Sequence, residues 1–386
     1  MDYQLTQQEI KFQQDLAAFC QAEIAPRAKL LDQSSRDDAC TYIKENLKLL
    51  AKGGWLDAGH AGDSLDLIAH YIAGEEIAKA CPATFLSVRA STFLCAGALS
   101  LFGTPEQKRH YVTAILKAEK VGALAYSEEQ AGSDMAAIAA VARKDGDSWV
   151  ISGVKNFVVN APIADVLLVL AYNDKDALAE KGMSIFIIDK GAKGLKVAAP
   201  VETMGLRGAP IASVSLDNCA AAGILGSVPG KGYEQINKIL TMGGVGIAAL
   251  CVGIGMACME VSTNRAKTRI AFGRRIGMYQ DVGFKLADMF TNNDLGRMLG
   301  LRAAWALNTS EHGAEELAAC AKLFASEAVT KIANWGMQIL AGHGYLAGSD
   351  MERLYRDAKF GEICEGTSEM QRALISRTEL DRYVQA

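Results

Sequence analysis

The segment Tyr355–Arg372 has the sequence YRDAKFGEICEGTSEMQR, and its Glu365 directly precedes a Gly-Thr-Ser turn. Ser368 is followed three positions later by Gln371, a capping-box pattern that predicts a helix beginning at Ser368. Glu365 is therefore expected in the loop before a helix N-terminus, on a backbone bent by Gly366. By itself the pattern is more typical of an ordinary capped surface helix.

This segment resembles the active-site signature of the acyl-CoA dehydrogenase family, in which the Glu before Gly-Thr-Ser is the catalytic base. Further matching segments recur in the family's order from about residue 5 to the end, so the resemblance covers essentially the whole chain. It implies FAD-dependent α,β-dehydrogenation of an acyl-CoA thioester to a trans-2-enoyl-CoA. Glu365 would abstract the α-proton and the flavin would take the β-hydride.

The same resemblance implies a mostly α-helical fold around a central β domain. We expect an N-terminal helical domain, a middle β-barrel-like domain and a C-terminal four-helix bundle that builds a homotetramer. The family passes its electrons to an electron-transfer flavoprotein, which is the expected partner.

Composition excludes several other classes of protein. The chain has 386 residues, which predicts two or three domains, and half of the residues are hydrophobic. A net charge of −4 argues against nucleic-acid and anionic-membrane partners. We expect no membrane insertion, because apolar runs are interrupted and the N-terminus lacks a secretion signal. Nine scattered cysteines without a Cys-x-x-Cys pair predict a reducing cytoplasm, no disulfides and no metal site.

Hydrophobic periodicity divides the chain into three parts. Residues 1–118 and 226–386 have helical spacing, whereas residues 119–225 contain β-rich runs separated by turn signals. The first predicted helix ends near Pro26, the second covers Leu65–Ala80, and a third covers Ala83–Phe102. The third is apolar on nearly all sides, so it should be buried.

Arg89 interrupts this third helix. A lone arginine there usually reaches solvent along its stem or pairs with a buried acid. The alternative hypothesis is that Arg89 binds an anionic group on a substrate tail, since the equivalent region of the family helps to wall the acyl pocket.

Two motifs in the middle domain resemble flavin contacts of the family. In SEEQAGSD, which follows Tyr126, a serine would present its hydroxyl to the isoalloxazine, while a later Gly-Ser pair would let the backbone approach flavin and substrate. In KNFVVNA an aromatic ring would pack on the flavin, and Val159 replaces a hydroxyl residue near the flavin N5. The residues assigned to the cofactor here are Tyr126, Ser127, Gly132, Ser133, Phe157, Val158 and Val159, with Ser133 also near substrate.

Two further motifs lie in the C-terminal part. Arg269–Gln280 matches an Arg-x-x-Phe-Gly…Gln segment, whose members Arg269, Phe272 and Gln280 would contact FAD partly across a subunit boundary. QILAGHGYL, with Gln338, Ala341 and Gly342, resembles the glycine-rich loop for the FAD diphosphate. Ala341 replaces a glycine there, a mild change provided the backbone needs no positive φ.

The family's site pattern also changes in several places. Thr241 and Gly244 stand where the family has an acid and an Arg near the CoA-bearing end of the substrate, which leaves room for a different thioester. Cys364 replaces a bulkier residue beside the base. Thr367 and Ser368 offer hydroxyl and N–H donors to a polar cofactor edge, and Gly366 would lie against substrate.

Glu365 is the candidate base because an apolar pocket would raise its pKa into the range useful for proton abstraction. By resemblance, its backbone N–H and a flavin ribityl hydroxyl would stabilise the enolate. Three alternatives stay open. The acyl group could be held by a carrier protein, or the flavin enzyme could desulfinate or decarboxylate an anionic acyl-CoA, as Arg89 favours. The third is a non-catalytic binding subunit. Chain length, branching and electron acceptor are also open.

Overall fold

The computed structural model describes residues 5–146 and 148–384 and has the three expected parts in order. The N-terminal part is helical, with one short hairpin, β1 (His60–Ala61) and β2 (Ser64–Leu65). Its α-helices are α1 (Gln7–Phe19), α2 (Ala25–Gln33), α3 (Arg36–Lys52), α4 (Leu67–Ala80), α5 (Pro82–Val88), α6 (Ala98–Phe102), α7 (Pro105–Gln107) and α8 (Thr113–Leu116). Three π-helical stretches join some of them: Cys20–Ile24, Arg89–Gly97 and Lys108–Val112.

The first helix does not end near Pro26, so that prediction is wrong. The chain continues through the π-helical stretch Cys20–Ile24 into α2, where Pro26 lies in the first turn. Ala25 donates its N–H to Cys20 O, five residues back, so the regular hydrogen-bond pattern has already shifted before the proline. Proline is tolerated at the first turn of the new segment because its missing N–H has no helical partner there.

The predicted third helix is buried as expected, and it corresponds to α5, a π-helical stretch and α6 in succession. Arg89 is the first residue of the π-helical stretch. Asn160 connects this helix to the sheet, because its Nδ2 donates to Ser87 O at 2.9 Å and to Gly122 O at 3.2 Å. Gly122 N in turn donates to Ser91 Oγ at 3.0 Å. The helix that carries Arg89 is therefore fixed against the middle domain.

The middle part is an eight-stranded sheet. Its strands are β3 (Gly122–Ala125), β4 (Val141–Asp145), β5 (Ser148–Val159), β6 (Val166–Tyr172), β7 (Met183–Asp189), β8 (Leu195–Val197), β9 (Ile211–Ala221) and β10 (Gly223–Ile224), with the short helix α9 (Ala179–Gly182) between β6 and β7. The spatial order is β10-β7-β6-β4-β5-β9-β8, and β3 pairs with β6 in parallel. β6 and β7 are buried on both faces, which explains their continuous apolar sequences.

The C-terminal part contains three long packed helices. The elements are α10 (Gly232–Thr268), β11 (Ile270–Ala271), β12 (Arg274–Arg275), α11 (Gln280–Asn308), α12 (Ala314–Leu340), α13 (Gly342–Tyr345), α14 (Asp350–Ala358), α15 (Phe360–Ile363) and α16 (Ser368–Val384). Small residues allow the close packing of these helices against α4. A Cβ on Gly253 would lie 2.4 Å from Glu75 O, and one on Gly300 would lie 2.2 Å from the Tyr71 ring.

Two helical segments of the described chain, Pro82–Phe102 and Gly232–Thr268, are long and apolar enough to cross a membrane by length and composition alone. Of their most apolar windows, 89% and 78% are buried within the fold. Burial in the core therefore accounts for their composition, and the absence of membrane insertion stays a prediction.

We predict that Arg297→Met strongly destabilises the contact between α4 and α11. The Arg297 guanidinium donates to both carboxylate oxygens of fully buried Glu75, and Gln13 Nε2 adds a third donor at 3.0 Å. Removing the cation leaves a buried carboxylate, so the free energy of unfolding in urea should fall by about 3 kcal/mol. Adding Glu75→Gln should restore part of that loss, because the carboxylate is then neutral. Lys231→Ala, which removes an exposed ion pair, should change the free energy of unfolding by less than about 1 kcal/mol.

Candidate active site

The loop that carries Glu365 has a strained backbone. Glu365 has φ of 50° and Gly366 has φ of 92°, between the end of α15 and the start of α16. α16 begins at Ser368 as predicted, but Thr367 is the capping residue, because its Oγ1 accepts from Met370 N at 3.4 Å. The predicted capping box of Ser368 with Gln371 is therefore wrong. Ser368 is already helical and buried, which leaves the hydroxyl one position earlier to reach the third helical N–H.

A buried lysine on α12 donates a hydrogen bond to this loop. Lys322 lies on α12 with no exposed side-chain surface, and its Nζ donates to Gly366 O at 2.6 Å. Sequence reasoning did not identify Lys322. The available signal was a single lysine within the apolar helical segment AACAKLFAS, because buried lysines need a partner.

Arg89 forms an ion pair with Glu365. Its Nη2 donates to Glu365 Oε2 and, at 2.9 Å, to Gly243 O, and the guanidinium lies 5.1 Å from the centre of the Phe93 ring. The side chains of Arg89 and Glu365 are 0% and 8% exposed. Of the two ordinary roles considered for Arg89, pairing with a buried acid is confirmed. The sequence predicted an apolar pocket around Glu365. The structure differs, because the buried cation of Arg89 contacts the Glu365 carboxylate.

Glycines on α10 provide the space for this ion pair. A Cβ on Gly243 would lie 2.6 Å from Glu365 Oε2 and 2.7 Å from Arg89 Nη2, and one on Gly246 would lie 3.1 Å from Arg89 Nη1. Gly244 is also buried on this helix, with Ala318 O 3.4 Å from where its Cβ would be. The small-residue helix thus contributes to the site as well as to the core.

The structure brings the two middle-domain motifs together beside Glu365. Asn156 N donates to Ser127 O at 2.8 Å, and Lys155 Nζ donates to Tyr126 O at 3.1 Å and to Glu128 Oε1 at 2.7 Å. Lys155 and Glu128, which sequence reasoning missed, form a buried pair. Burial and the nearby Glu365 and Cys364 raise the pKa of the Tyr126 phenol, so Tyr126 lies close to the Glu365 loop.

Positive φ values mark several of the predicted site residues. Nine non-glycine residues of the described chain have positive φ, and four of them were assigned to the site: Phe157, Phe272, Ala341 and Glu365. Such conformations cost free energy and persist where the surrounding structure imposes them, often at functional sites. The sequence analysis treated Ala341 as a mild replacement of glycine provided that the backbone needs no positive φ. Ala341 has φ of 51°, so that condition is not met. Its replacement of glycine is not a mild change.

Exposed faces and donors in these motifs fit an FAD molecule. The Phe157 side chain is 72% exposed at an irregularity of β5, and Phe272 is 98% exposed at the tip of the β11–β12 hairpin. A Cβ at Gly132 or Gly342 would contact nothing within 4 Å, so the backbone can be approached closely there. Flat apolar rings suit an isoalloxazine, and the guanidinium of exposed Arg269 suits a diphosphate.

The other residues predicted to contact the cofactor are distributed over the chain. Gln280, Gln338 and Ser133 are exposed, and Val159 is partly buried. The Val158 side chain packs in the sheet core, so a contact with the flavin would have to involve its backbone. Among the hydrogen bonds and ion pairs of the described residues, none joins Glu365 to the Arg269–Gln280 segment or to the Gln338–Gly342 turn.

A second buried polar group lies near Arg89. The His70 ring from α4 stacks on Phe93 with centroids 4.4 Å apart, and its Nε2 has no hydrogen-bond partner among the described residues. Burial, with smaller contributions from Arg89 and His60, lowers the pKa of His70 to about 3. Sequence reasoning did not identify His70, because a lone histidine on an apolar helix face gives no functional signal.

Comparison with protein families gives three consecutive matches. Residues 6–119 match the acyl-CoA dehydrogenase N-terminal domain, residues 123–219 the middle domain, and residues 230–380 the C-terminal domain. The chain is 37% identical over 379 residues to the probable acyl-CoA dehydrogenase YngJ of Bacillus subtilis, covering 98% of this chain and 99% of that protein. It is 38% identical over 368 residues to the human mitochondrial short-chain specific acyl-CoA dehydrogenase, covering 95% and 88%.

Solved structures show the same architecture. A chain from work on the electron transferring flavoprotein of Acidaminococcus fermentans has a TM-score of 0.91 at 30% identity, covering 98% of this chain and 100% of that chain. Glutaryl-coenzyme A dehydrogenase in complex with glutaryl-CoA has a TM-score of 0.91 at 29% identity, covering 99% and 97%. The prolyl acyl carrier protein oxidase AnaB has a TM-score of 0.87 at 28% identity, covering 97% and 99%.

We predict that Ala341→Gly stabilises the protein. Glycine adopts the positive φ of this position without a Cβ clash, and that gain exceeds the extra entropy it gives the unfolded chain. The free energy of unfolding in urea should rise by about 1 kcal/mol. Ala18→Gly in exposed α1 should instead lower it by about 1 kcal/mol, because Ala18 is helical. A loss at both positions would contradict the assigned strain.

We predict that His70 makes the protein sensitive to acid. As pH falls below about 6.5, the unfolded chain binds a proton at His70 that the folded protein does not bind until about pH 3. This one group should lower the free energy of unfolding by about 1.4 kcal/mol per pH unit across that window. His70→Phe should remove this component from urea titrations between pH 6.5 and 5. His312→Gln, at an exposed position, should show the same change of unfolding free energy with pH as wild type.

Proposed function

The chain belongs to the acyl-CoA dehydrogenase family, and we propose that it oxidises an acyl-CoA to a trans-2-enoyl-CoA with Glu365 as the base. The family assignment makes the protein an FAD-dependent oxidoreductase. One observation carries the specific proposal. The Glu365 carboxylate is almost fully buried beside Tyr126 and the flavin-type motifs, on a loop held by Lys322 at a strained φ.

FAD, when bound, supplies the acceptor for the hydride that leaves the β-carbon. Ser127, Phe157 and Val159 would hold its ring system, whereas Arg269 and Gln338 would hold the diphosphate end. Glu365 accepts the α-proton on its carboxylate. No hydrogen bond from Glu365 N to another described residue is present, so this N–H is available to the thioester oxygen as it gains charge.

We propose that the chain forms a homotetramer and passes its electrons to a partner protein, as the family does. Phe284, Phe290, Leu295 and Met298 of α11 are large apolar side chains, each at least 45% exposed in the single chain. Such a surface supports association with further copies, and Phe272 would then reach the FAD of a neighbouring subunit in a homotetramer. We also propose a cytoplasmic location and an electron-transfer flavoprotein as the electron acceptor.

A carrier-protein thioester is the first alternative substrate. Thr241 and Gly244 of α10 carry no charge where the family has an acid and an Arg, so a contact for CoA is missing. The similarity to a prolyl acyl carrier protein oxidase is compatible with this alternative.

An anionic acyl-CoA is the second alternative, with desulfination or decarboxylation as the reaction. Fully buried Arg89 next to Glu365 favours it, because an arginine at this depth can pair with a charged acyl tail. The similarity to a glutaryl-coenzyme A dehydrogenase bound to glutaryl-CoA supports the same alternative.

We predict that Glu365→Gln abolishes substrate oxidation while FAD stays bound. Glutamine has nearly the same shape but is not a base, so the rate of flavin bleaching by a substrate acyl-CoA should fall by at least about 100-fold. Stopped-flow absorbance measures this rate, and the yellow spectrum reports FAD occupancy. Glu369→Gln is the matched control, because Glu369 is an exposed acid of the same segment. Wild-type bleaching by the Glu365 variant would disprove the assignment of the base.

A further inference from the structure

We propose that Lys322 is a positioning residue for the base: its buried ammonium keeps the turn formed by Glu365 and Gly366 in the conformation that removes the α-proton. The function proposed above is the premise of this inference, which concerns the proton-abstraction step alone. Lys322 acts through the carbonyl group of Gly366 and not on the substrate itself.

The Lys322 ammonium is a buried cation without an anionic partner. Its side chain is 0% exposed, and no carboxylate of the described residues forms an ion pair with it. The other fully buried lysine, Lys155, pairs with Glu128 at 2.7 Å. Removing an ammonium from water is costly unless an opposite charge compensates it. Fold stability alone would therefore favour an apolar or a paired residue at position 322.

The ammonium is directed at the backbone of the turn. Lys322 Nζ donates to Gly366 O at 2.6 Å, and Gln371 Nε2 donates to the same oxygen at 3.3 Å. Glu365 has φ of 50°, which a residue other than glycine keeps only where its surroundings impose it. The two donors fix the carbonyl group that follows the base, so they hold Glu365 in this conformation.

The charge of Lys322 makes the stronger of these two bonds. Burial and Glu365 raise the pKa of the Cys364 thiol, whereas Lys322 opposes that rise, so both charges lie near Cys364. A charge-assisted bond is stronger than one from a neutral donor, and more so where water is excluded. Two buried cations thus fix the turn: Arg89 contacts the Glu365 carboxylate, and Lys322 contacts the next carbonyl group.

Proton abstraction depends on the position of two groups of Glu365. Its carboxylate must reach the α-hydrogen, and its N–H must reach the thioester oxygen as charge develops there. Both groups move with the Glu365 backbone, so loss of the Lys322 bond displaces them together. A displacement of about 1 Å can cost about 100-fold in rate. Binding of the substrate depends less on these groups, so kcat should fall much more than KM rises.

The test measures proton abstraction without hydride transfer. Acetyl-CoA has α-hydrogens but no β-carbon, so exchange of these hydrogens with solvent deuterium reports the base alone. Mass spectrometry follows this exchange on the FAD-loaded enzyme, and bleaching by butyryl-CoA is measured beside it. The variants are Lys322→Ala and Lys322→Gln. Lys331→Ala is the matched control, because Lys331 is an exposed lysine of the same helix. Glu365→Gln gives the background exchange.

We expect Lys322→Ala to lower the exchange rate and the kcat of bleaching by at least about tenfold, with KM changed less than about threefold. Lys322→Gln leaves a smaller cavity and keeps a neutral donor, and it should show a similar loss because the charge is gone. Lys331→Ala should match wild type. Rates are taken per bound FAD, so a lower yield of folded protein does not alter them.

Chemical rescue distinguishes a positioning role from a purely structural one. Lys322→Ala removes three carbons and the ammonium, which added propylammonium replaces, and 1-propanol is the uncharged analogue. Propylammonium should raise the exchange rate of Lys322→Ala by at least about threefold, whereas 1-propanol should not, because only the cation restores the charge-assisted bond. Neither compound should alter the exchange rate of Lys331→Ala.

Two results would overturn the inference. Both Lys322 variants could exchange and bleach at the rates of wild type per bound FAD, or 1-propanol could restore Lys322→Ala as well as propylammonium does. In either case the proposed dehydrogenation stands, since Glu365 still removes the proton. If wild type with FAD bound neither exchanges acetyl-CoA nor is bleached by any thioester, the proposed function itself fails.

Discussion

The contact between Arg89 and Glu365 is the constraint on which the site depends. It joins residues 276 positions apart, from a helix of the first domain and a loop of the third. A buried charge must be paired, so the helix, the loop and the glycines of α10 have to fit one another closely. The π-helical stretch that begins at Arg89 is consistent with this demand, because irregular helical turns often occur where function imposes a geometry.

Much of the architecture is predictable from periodicity. Helical and strand spacing locate the three parts, and the continuous apolar runs of β6 and β7 follow from burial on both faces. Local details were harder. Pro26 was expected to end a helix, but a π-helical turn had already shifted the hydrogen bonds, and Thr367 caps α16 in place of its neighbour. The cap of α16 is displaced by one residue, whereas the first helical stretch continues seven residues beyond Pro26, to Gln33. Helix ends are hard to predict because several local solutions have similar energies.

The candidate site was predictable where a motif is continuous along the chain, as around Glu365, Ser127 and Phe157. It was not predictable where the contact is made across the fold. Nothing local to Lys322 indicates that it holds the carbonyl of Gly366, and nothing local to Arg89 chooses between solvent, an acid and a ligand. Likewise, the positive φ of Ala341 cannot be predicted from its residue type. Such properties belong to tertiary packing, which overrides local preference.

Helix α12 connects two regions that the sequence treats separately. Lys322, the ninth residue of α12, donates to the Glu365 loop, and Gln338, near the end of α12, leads into the turn assigned to the cofactor diphosphate. The two residues are sixteen positions apart, which corresponds to about 24 Å along the helix axis. The length of this helix therefore sets the distance between the two regions. Insertion or deletion of a single residue would turn one end by about 100° relative to the other, so natural length variation should be found in the surface loops and not in this helix.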